Sequence, residues 1–156
     1  MSQEHTHFQA EIELRDLVSR YSDAVNRRDA EAWARTWSVD ATWEIMGTVQ
    51  QGREVIVDFW KQVMAGIPLV LQEPTFGLID FSAGSPESGN MGARGRWYIH
   101  EITRGPELSA ETTGVYHDRY IHEDGAWRFA RRRFDVLYRD EGPLDGQAYP
   151  FPESAE

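Results

Sequence analysis

The sequence predicts an α+β fold, and three observations carry that expectation. Apolar residues recur at helical spacing through about the first 65 positions, four β-rich stretches separated by turn chemistry follow, and no internal repeat divides the 156 residues. The length fits one domain spanning 1–156, with a core over about 8–140 and a tail over 141–156.

The first helix is expected over about 8–27, where Ile12 or Leu14, Leu17, Val18, Tyr21, Ala24 and Val25 fall on one stripe. Asp29 can cap a second helix, "DAEAWARTWS", in which Trp33 and Trp37 stand four apart and share a face. The short β-rich "ATWEIM" follows. Gly52 then leads a third helix through Val55, Ile56, Phe59, Trp60 and Val63 that ends near Gly66 and Pro68. Strands are expected at about 72–83, 90–104, 110–122 and 126–140. Their separators are "AGSPESGN", "RGPELSA" and Asp124-Gly125, the last a short hairpin signal. "GNMGARG" has glycines at spacing three but leads into a strand, so it reads as a strand entry rather than a phosphate loop. The tail, with three prolines and no periodicity, packs as an extended arm or frays. Helices followed by antiparallel strands imply a sheet that curls around the helices' apolar faces.

Composition narrows the partners. A net charge of −10 repels phosphate backbones and anionic lipid surfaces, so neither nucleic acid nor membrane is expected. Cysteine is absent, which removes disulfides, thiolate nucleophiles and zinc–thiolate sites. Lys61 is the one lysine among 16 basic residues, and it lies on a surface helix, a poor place for Schiff-base chemistry. His117 and Asp118 are adjacent in a strand and point to opposite faces, so no metal site and no cofactor are expected. His5, His7 and His122 read as solvent-exposed. With no signal sequence or long apolar run, the chain reads as soluble and cytoplasmic.

Two segments, "YSDAVNRRDAEAWARTWSVDATWEI" and the closing hairpin "TTGVYHDRYIHEDGAWRFARRRFD", make the chain resemble the SnoaL-like branch of the nuclear transport factor 2-like superfamily over about residues 8–140. The resemblance implies a cone-shaped, curved antiparallel sheet wrapped around three N-terminal helices, with a pocket between them. It also implies assembly as a homodimer, or a trimer, through the outer sheet surface. Dehydratase and dehydrochlorinase members pair an Asp with a His that removes a proton from carbon. In this chain the Asp position holds Asn26, and "LQEPTFG", 71–77, where the His belongs, contains none. Glu73 in that stretch reads as an exposed strand-start carboxylate.

Other positions match the family. His100 falls where a second pocket histidine is kept, and it groups by alternation with Arg96 and Tyr98, opposite Trp97 and Ile99. Alternation leaves open which set lines the pocket. Gly114, Tyr116, Asp118 and Tyr120 share what resembles the family's inward face, and Tyr116 matches a polar pocket residue, although a core tyrosine can equally be packing. In "RRR", Arg131 and Arg133 point one way and Arg132 the other, and a bulge near Phe134 would swap them. Through "W-x-F-x-x-R", Arg132 matches a pocket arginine that stabilises a departing anion. As a buried charge it would alternatively be a salt-bridge strut to Asp118, Glu44 or Asp23.

The resulting expectation is a hydrophobic small-molecule pocket. Tyr21, Trp43, Trp60, Phe76, Tyr98, Tyr116 and Asp118 would contact substrate. In a cofactor-independent lyase (dehydratase) or isomerase acting on a cyclic hydroxylated or ketonic compound, His100 would be the acid/base. Tyr116 and Asn26 would position oxygen, and Arg132 would stabilise negative charge. The alternatives are a ligand-binding protein without turnover and a structural subunit resembling the small subunit of ring-hydroxylating dioxygenases.

Overall fold

The computed structural model describes residues 3–81, 92–106 and 109–153. Three helices precede most of a six-stranded, curved and unclosed sheet: α1 (Gln3–Arg27), α2 (Ala30–Ala34) and α3 (Arg53–Ala65), with β1 (Trp37–Ile45), β2 (Thr48–Gln51), β3 (Leu69–Asp80), β4 (Gly92–Arg104), β5 (Ser109–Glu123) and β6 (Ala126–Glu141). The strand order is β2-β1-β6-β5-β4-β3. Every pairing is antiparallel except β1 with β6. The expected separator 83–90 and the start of "GNMGARG" lie outside the described residues, as does part of "RGPELSA". Among the described residues no helix is long and apolar enough to cross a membrane.

On α1 the buried stripe runs through Leu14, Leu17, Val18, Tyr21, Ala24 and Val25, while Ile12 faces solvent. The helix ends at Arg28, whose positive φ of 59° is unusual for a side-chain-bearing residue. Its guanidinium reaches the carbonyls of Met64 and Ile67, capping the C-terminus of α3 and tying the two helices together.

The second helix is shorter than expected. Asp29 caps it through Ala32 N at 2.9 Å, but Arg35 closes it, and Trp37 already belongs to β1. The cause is tertiary: Phe129 N donates to Thr36 O at 2.9 Å, which recruits the chain into pairing with β6. Trp33 and Trp37 still meet edge to face, with ring centroids 5.4 Å apart. The β1–β2 hairpin was not anticipated. Its turn residues Met46 and Gly47 both have positive φ, and a methionine there lacks the Asn or Asp signature of such turns.

Inside the sheet an aromatic core forms from Tyr21, Trp33, Trp37, Trp43, Trp60 and Phe129, with Trp33 stacked on Trp60 at 4.7 Å. Bulges reset which residues face it. Ala130 is the extra residue opposite Arg119 and Tyr120, so Trp127 and Phe129 before it and Arg132 after it all point inward. The tail packs as an arm, held where Arg104 Nη1 donates to Leu144 O and Gly146 O at 3.0 and 2.8 Å.

Candidate active site

Five inward-facing side chains of β5 and β6, those of Tyr116, Asp118, Tyr120, Phe129 and Arg132, build the inner part of the site. The Arg132 guanidinium donates from Nε to Asp118 Oδ1 at 2.9 Å and from Nη2 to Asp118 Oδ2 at 3.1 Å, a two-pronged fork with both side chains buried. Asp118 Oδ2 also accepts from Tyr120 Oη at 2.8 Å, and Tyr120 Oη accepts from Trp97 Nε1 at 2.7 Å. Rings of Tyr116, Phe129 and Tyr21 surround the guanidinium carbon at 3.8, 4.1 and 4.2 Å from their centroids. At those distances nothing fits between cation and rings. Arg132 Nη1 is buried without a hydrogen-bond partner among the described residues.

Burial governs the titration of this cluster. Burial works against the Arg132 charge, but the adjoining Asp118 carboxylate, with Tyr21, Tyr116 and Tyr120, outweighs it and holds the guanidinium above its ordinary range. Burial pushes the Asp118 carboxyl up, opposed by Arg132 and by the Tyr120 hydroxyl. Burial also raises the phenols of Tyr21, Tyr116 and Tyr120, so all three stay neutral donors at pH 7.

Nearer the helices, α1 and β3 carry a second polar group. Asn26 Nδ2 donates to Gln72 O at 2.9 Å and Asn26 Oδ1 accepts from Gln72 N at 2.7 Å, so the carboxamide substitutes for a strand partner at the sheet edge. The Gln72 side chain accepts from Ser22 Oγ at 3.0 Å and donates to Glu101 Oε2 at 2.9 Å, with Tyr116 Oη 3.4 Å away. Glu101 Oε1 accepts from Thr103 Oγ1 at 3.1 Å. Gln72 is buried whereas Glu101 is half-buried, so the network runs from a solvent-reachable carboxylate inward to Tyr116.

This placement corrects several expectations. Trp97 and Ile99 are the inward set of β4, and Arg96, Tyr98 and His100 lie on the outer face. His100 therefore does not join the interior cluster; its Nε2 lies 2.8 Å from Glu111 Oε1 and its Nδ1 3.6 Å from Glu73 Oε2. Phe76 is 60% exposed and stacks on Tyr98 at 4.5 Å, likewise outside. Trp43 and Trp60 face inward but are consumed by core packing against Trp33. Asn26 is engaged by the Gln72 backbone. Tyr21, Tyr116, Asp118 and Arg132 are brought together. Gln72, Glu101, Ser22 and Tyr120 went unanticipated as site residues; the signal for the first two was a polar residue at the inward parity of a long strand.

A curved, unclosed sheet wrapped around helices, with a buried polar network near one edge, defines the class of α+β fold that this chain adopts. Within that class the chain belongs to the family of SnoaL-like domains, whose family model matches residues 6–133. It is similar to a hexachlorocyclohexane dehydrochlorinase (LinA) of type 2, with 21% identity, 95% of this chain and 99% of that chain covered and a TM-score of 0.82. A LinA-type3 dehydrochlorinase from Novosphingobium barchaimii LL02 gives 21%, 96%, 100% and 0.79. A putative scytalone dehydratase from Novosphingobium aromaticivorans DSM 12444 gives 17%, 94%, 100% and 0.78. At these identities the likeness is one of fold. No curated protein matches the chain.

Proposed function

We propose that the chain binds a cyclic small molecule bearing a hydroxyl or ketone oxygen beside Gln72, Glu101 and Tyr116, and that Glu101 is the acid/base of a cofactor-independent lyase or isomerase reaction. One observation carries this reading: among the described inward-facing carboxylates of β4 and β5, Asp118 is neutralised by Arg132, while Glu101 has no cationic partner. A carboxylate so placed can take a proton from carbon next to a carbonyl. The neutral Tyr116 phenol, 3.4 Å from Gln72 Nε2, would donate to the oxygen on which negative charge develops. Arg132, gripped by Asp118 and packed by three rings, acts in this reading as the strut that fixes Tyr21 and Tyr116, not as an anion-binding group. The names of the similar dehydrochlorinases and dehydratase, both elimination enzymes, support the reaction class.

The test is deuterium incorporation from D2O into the α-carbon of cyclic ketone and β-hydroxyketone probes, followed by NMR. The wild type is expected to accelerate exchange, and Glu101→Gln to lose on the order of 100-fold or more of that acceleration while melting normally. Full exchange in Glu101→Gln would remove Glu101 from the mechanism. A second reading, ligand binding without turnover, is favoured by Asn26, whose carboxamide cannot ionise and is engaged by the Gln72 backbone. Saturable binding of the probes with no exchange above the solution rate would establish it.

A further inference from the structure

The outer face of the sheet, opposite the site just described, carries a grid of cations. The β4–β5–β6 register sets Arg94, Arg119 and Arg131 side by side in one rung and Arg96, His117 and Arg133 in the next. Neighbouring strands stand about 4.8 Å apart and successive outward residues about 7 Å apart, so the positions form a compact field. They line a groove of about 490 Å³ with Leu78, Ile79 and Asp80 along one wall.

The local charge runs against the whole chain, which has a net charge of −10. Arg131 is bonded to Glu44 at 2.7 Å, and Arg133 to Asp135 at 3.0 Å, with His117 3.6 Å from the same carboxylate. Arg94, Arg96 and Arg119 are exposed and have no ion pair or hydrogen-bond partner among the described residues. Among the described residues five guanidinium groups thus face three carboxylates, Glu44, Asp135 and Asp80. Like charges directly opposite across antiparallel strands repel, so this grid raises the energy of the fold unless an anion sits on it.

We propose that this groove is a binding site for a small organic polyanion. Its two anionic groups, phosphate or carboxylate, would be held by the forks of Arg94 and Arg119 in one rung and Arg96 in the next, with its carbon skeleton over Leu78. The excess of two positive charges matches such a ligand, and guanidinium forks pair bidentately with either group. The groove has the volume of a small-molecule pocket.

Calorimetric titration with inorganic pyrophosphate, with citrate and with sodium chloride at matched ionic strength tests the site on the intact chain. Saturable binding of pyrophosphate or citrate is expected. The tighter of the two identifies the phosphate or the carboxylate class, and Arg96→Ala/Arg119→Ala is expected to bind it at least tenfold more weakly. Both substituted residues are exposed and their removal relieves like-charge repulsion, so the variant should melt no lower than the wild type. The proposal is overturned if neither anion gives saturable heat beyond chloride, or if the double variant binds as tightly as the wild type. It is equally overturned if sedimentation shows the wild type to be a dimer or trimer that this variant splits, since another copy would then occupy the face. The site shares no residue with the Glu101 network, so either result leaves the exchange experiment independent.

Discussion

Arg132→Met isolates the physics of the buried fork. Methionine keeps the unbranched apolar stem of arginine and can remain among the rings of Tyr21, Tyr116 and Phe129, but Asp118 loses both of its guanidinium bonds and keeps only the Tyr120 hydroxyl. Removing one member of a buried pair costs about 3–5 kcal/mol, because the remaining charge stays desolvated. For a domain whose whole stability is on the order of 5–15 kcal/mol, that is from about a fifth to nearly all of it. The sign with pH follows from Asp118. Burial already pushes its carboxyl up, and without Arg132 it rises further. The folded variant then holds a proton that the unfolded chain releases above a pKa of about 3.9, so its stability falls as pH rises. Between pH 7 and pH 5 the variant should therefore regain up to about 1.4 kcal/mol per pH unit relative to the wild type, as long as the folded pKa stays above the range. Asp118→Asn/Arg132→Met removes both charges and should recover much of the loss with no such slope. Urea unfolding at both pH values, followed by tryptophan fluorescence, reads all three proteins. A loss below about 1 kcal/mol in Arg132→Met, or a double variant no better than the single, would refute the buried-pair argument.

Two further outcomes follow from the same interior. A Cβ at Gly95 would stand 2.3 Å from Tyr120 Oη and 2.9 Å from Trp97 Nε1. Gly95→Ala should therefore lose about 1–3 kcal/mol by overpacking the Trp97–Tyr120–Asp118 chain, measurable by urea unfolding and contradicted by an unchanged midpoint. Tyr21, Tyr116 and Tyr120 have raised pKa values, so above pH 10 the folded chain holds protons that the unfolded chain gives up, and stability falls as pH rises. Absorbance titration should show these three phenols ionising together with loss of near-UV circular dichroism. Ionisation of all six tyrosines near pH 10 with the dichroism intact would contradict it.

Much of the fold was legible because periodicity and turn chemistry are local. The α1 stripe and the Asp124-Gly125 hairpin needed no tertiary information. Where the reading missed, a distant contact decided the structure. Trp33 and Trp37 have helical spacing, yet a strand 90 residues away captures Thr36 and turns Trp37 into the start of β1. The hairpin at Met46-Gly47 has one glycine where its backbone needs two positive φ values, so its signal was half present. The inward direction of Arg132 was anticipated, but the bulge that brings it into line with Phe129 is at Ala130, not near Phe134.

The site was harder to read because strand alternation fixes pairs of sets, and only an anchor says which set is inside. For β4 the family resemblance favoured His100, and with it Arg96 and Tyr98. Energetics point the other way. Turning that set inward would also bury Arg94 and Arg96, each an ion whose desolvation costs several kcal/mol unless paired, and the acidic partner inside, Asp118, is already taken by Arg132. The same flip would expose Trp97 and Ile99, forfeiting about 1.5–3 kcal/mol for each buried apolar side chain. Both contributions have the same sign, so the strand must present Trp97 and Ile99 to the core, and Glu101, two residues further on, enters with them. That carboxylate is tolerated because Gln72 and Thr103 donate to it and because, half-buried, it keeps contact with water. The cost of burying Arg94 and Arg96 is thus what places a carboxylate, and not His100, beside Tyr116.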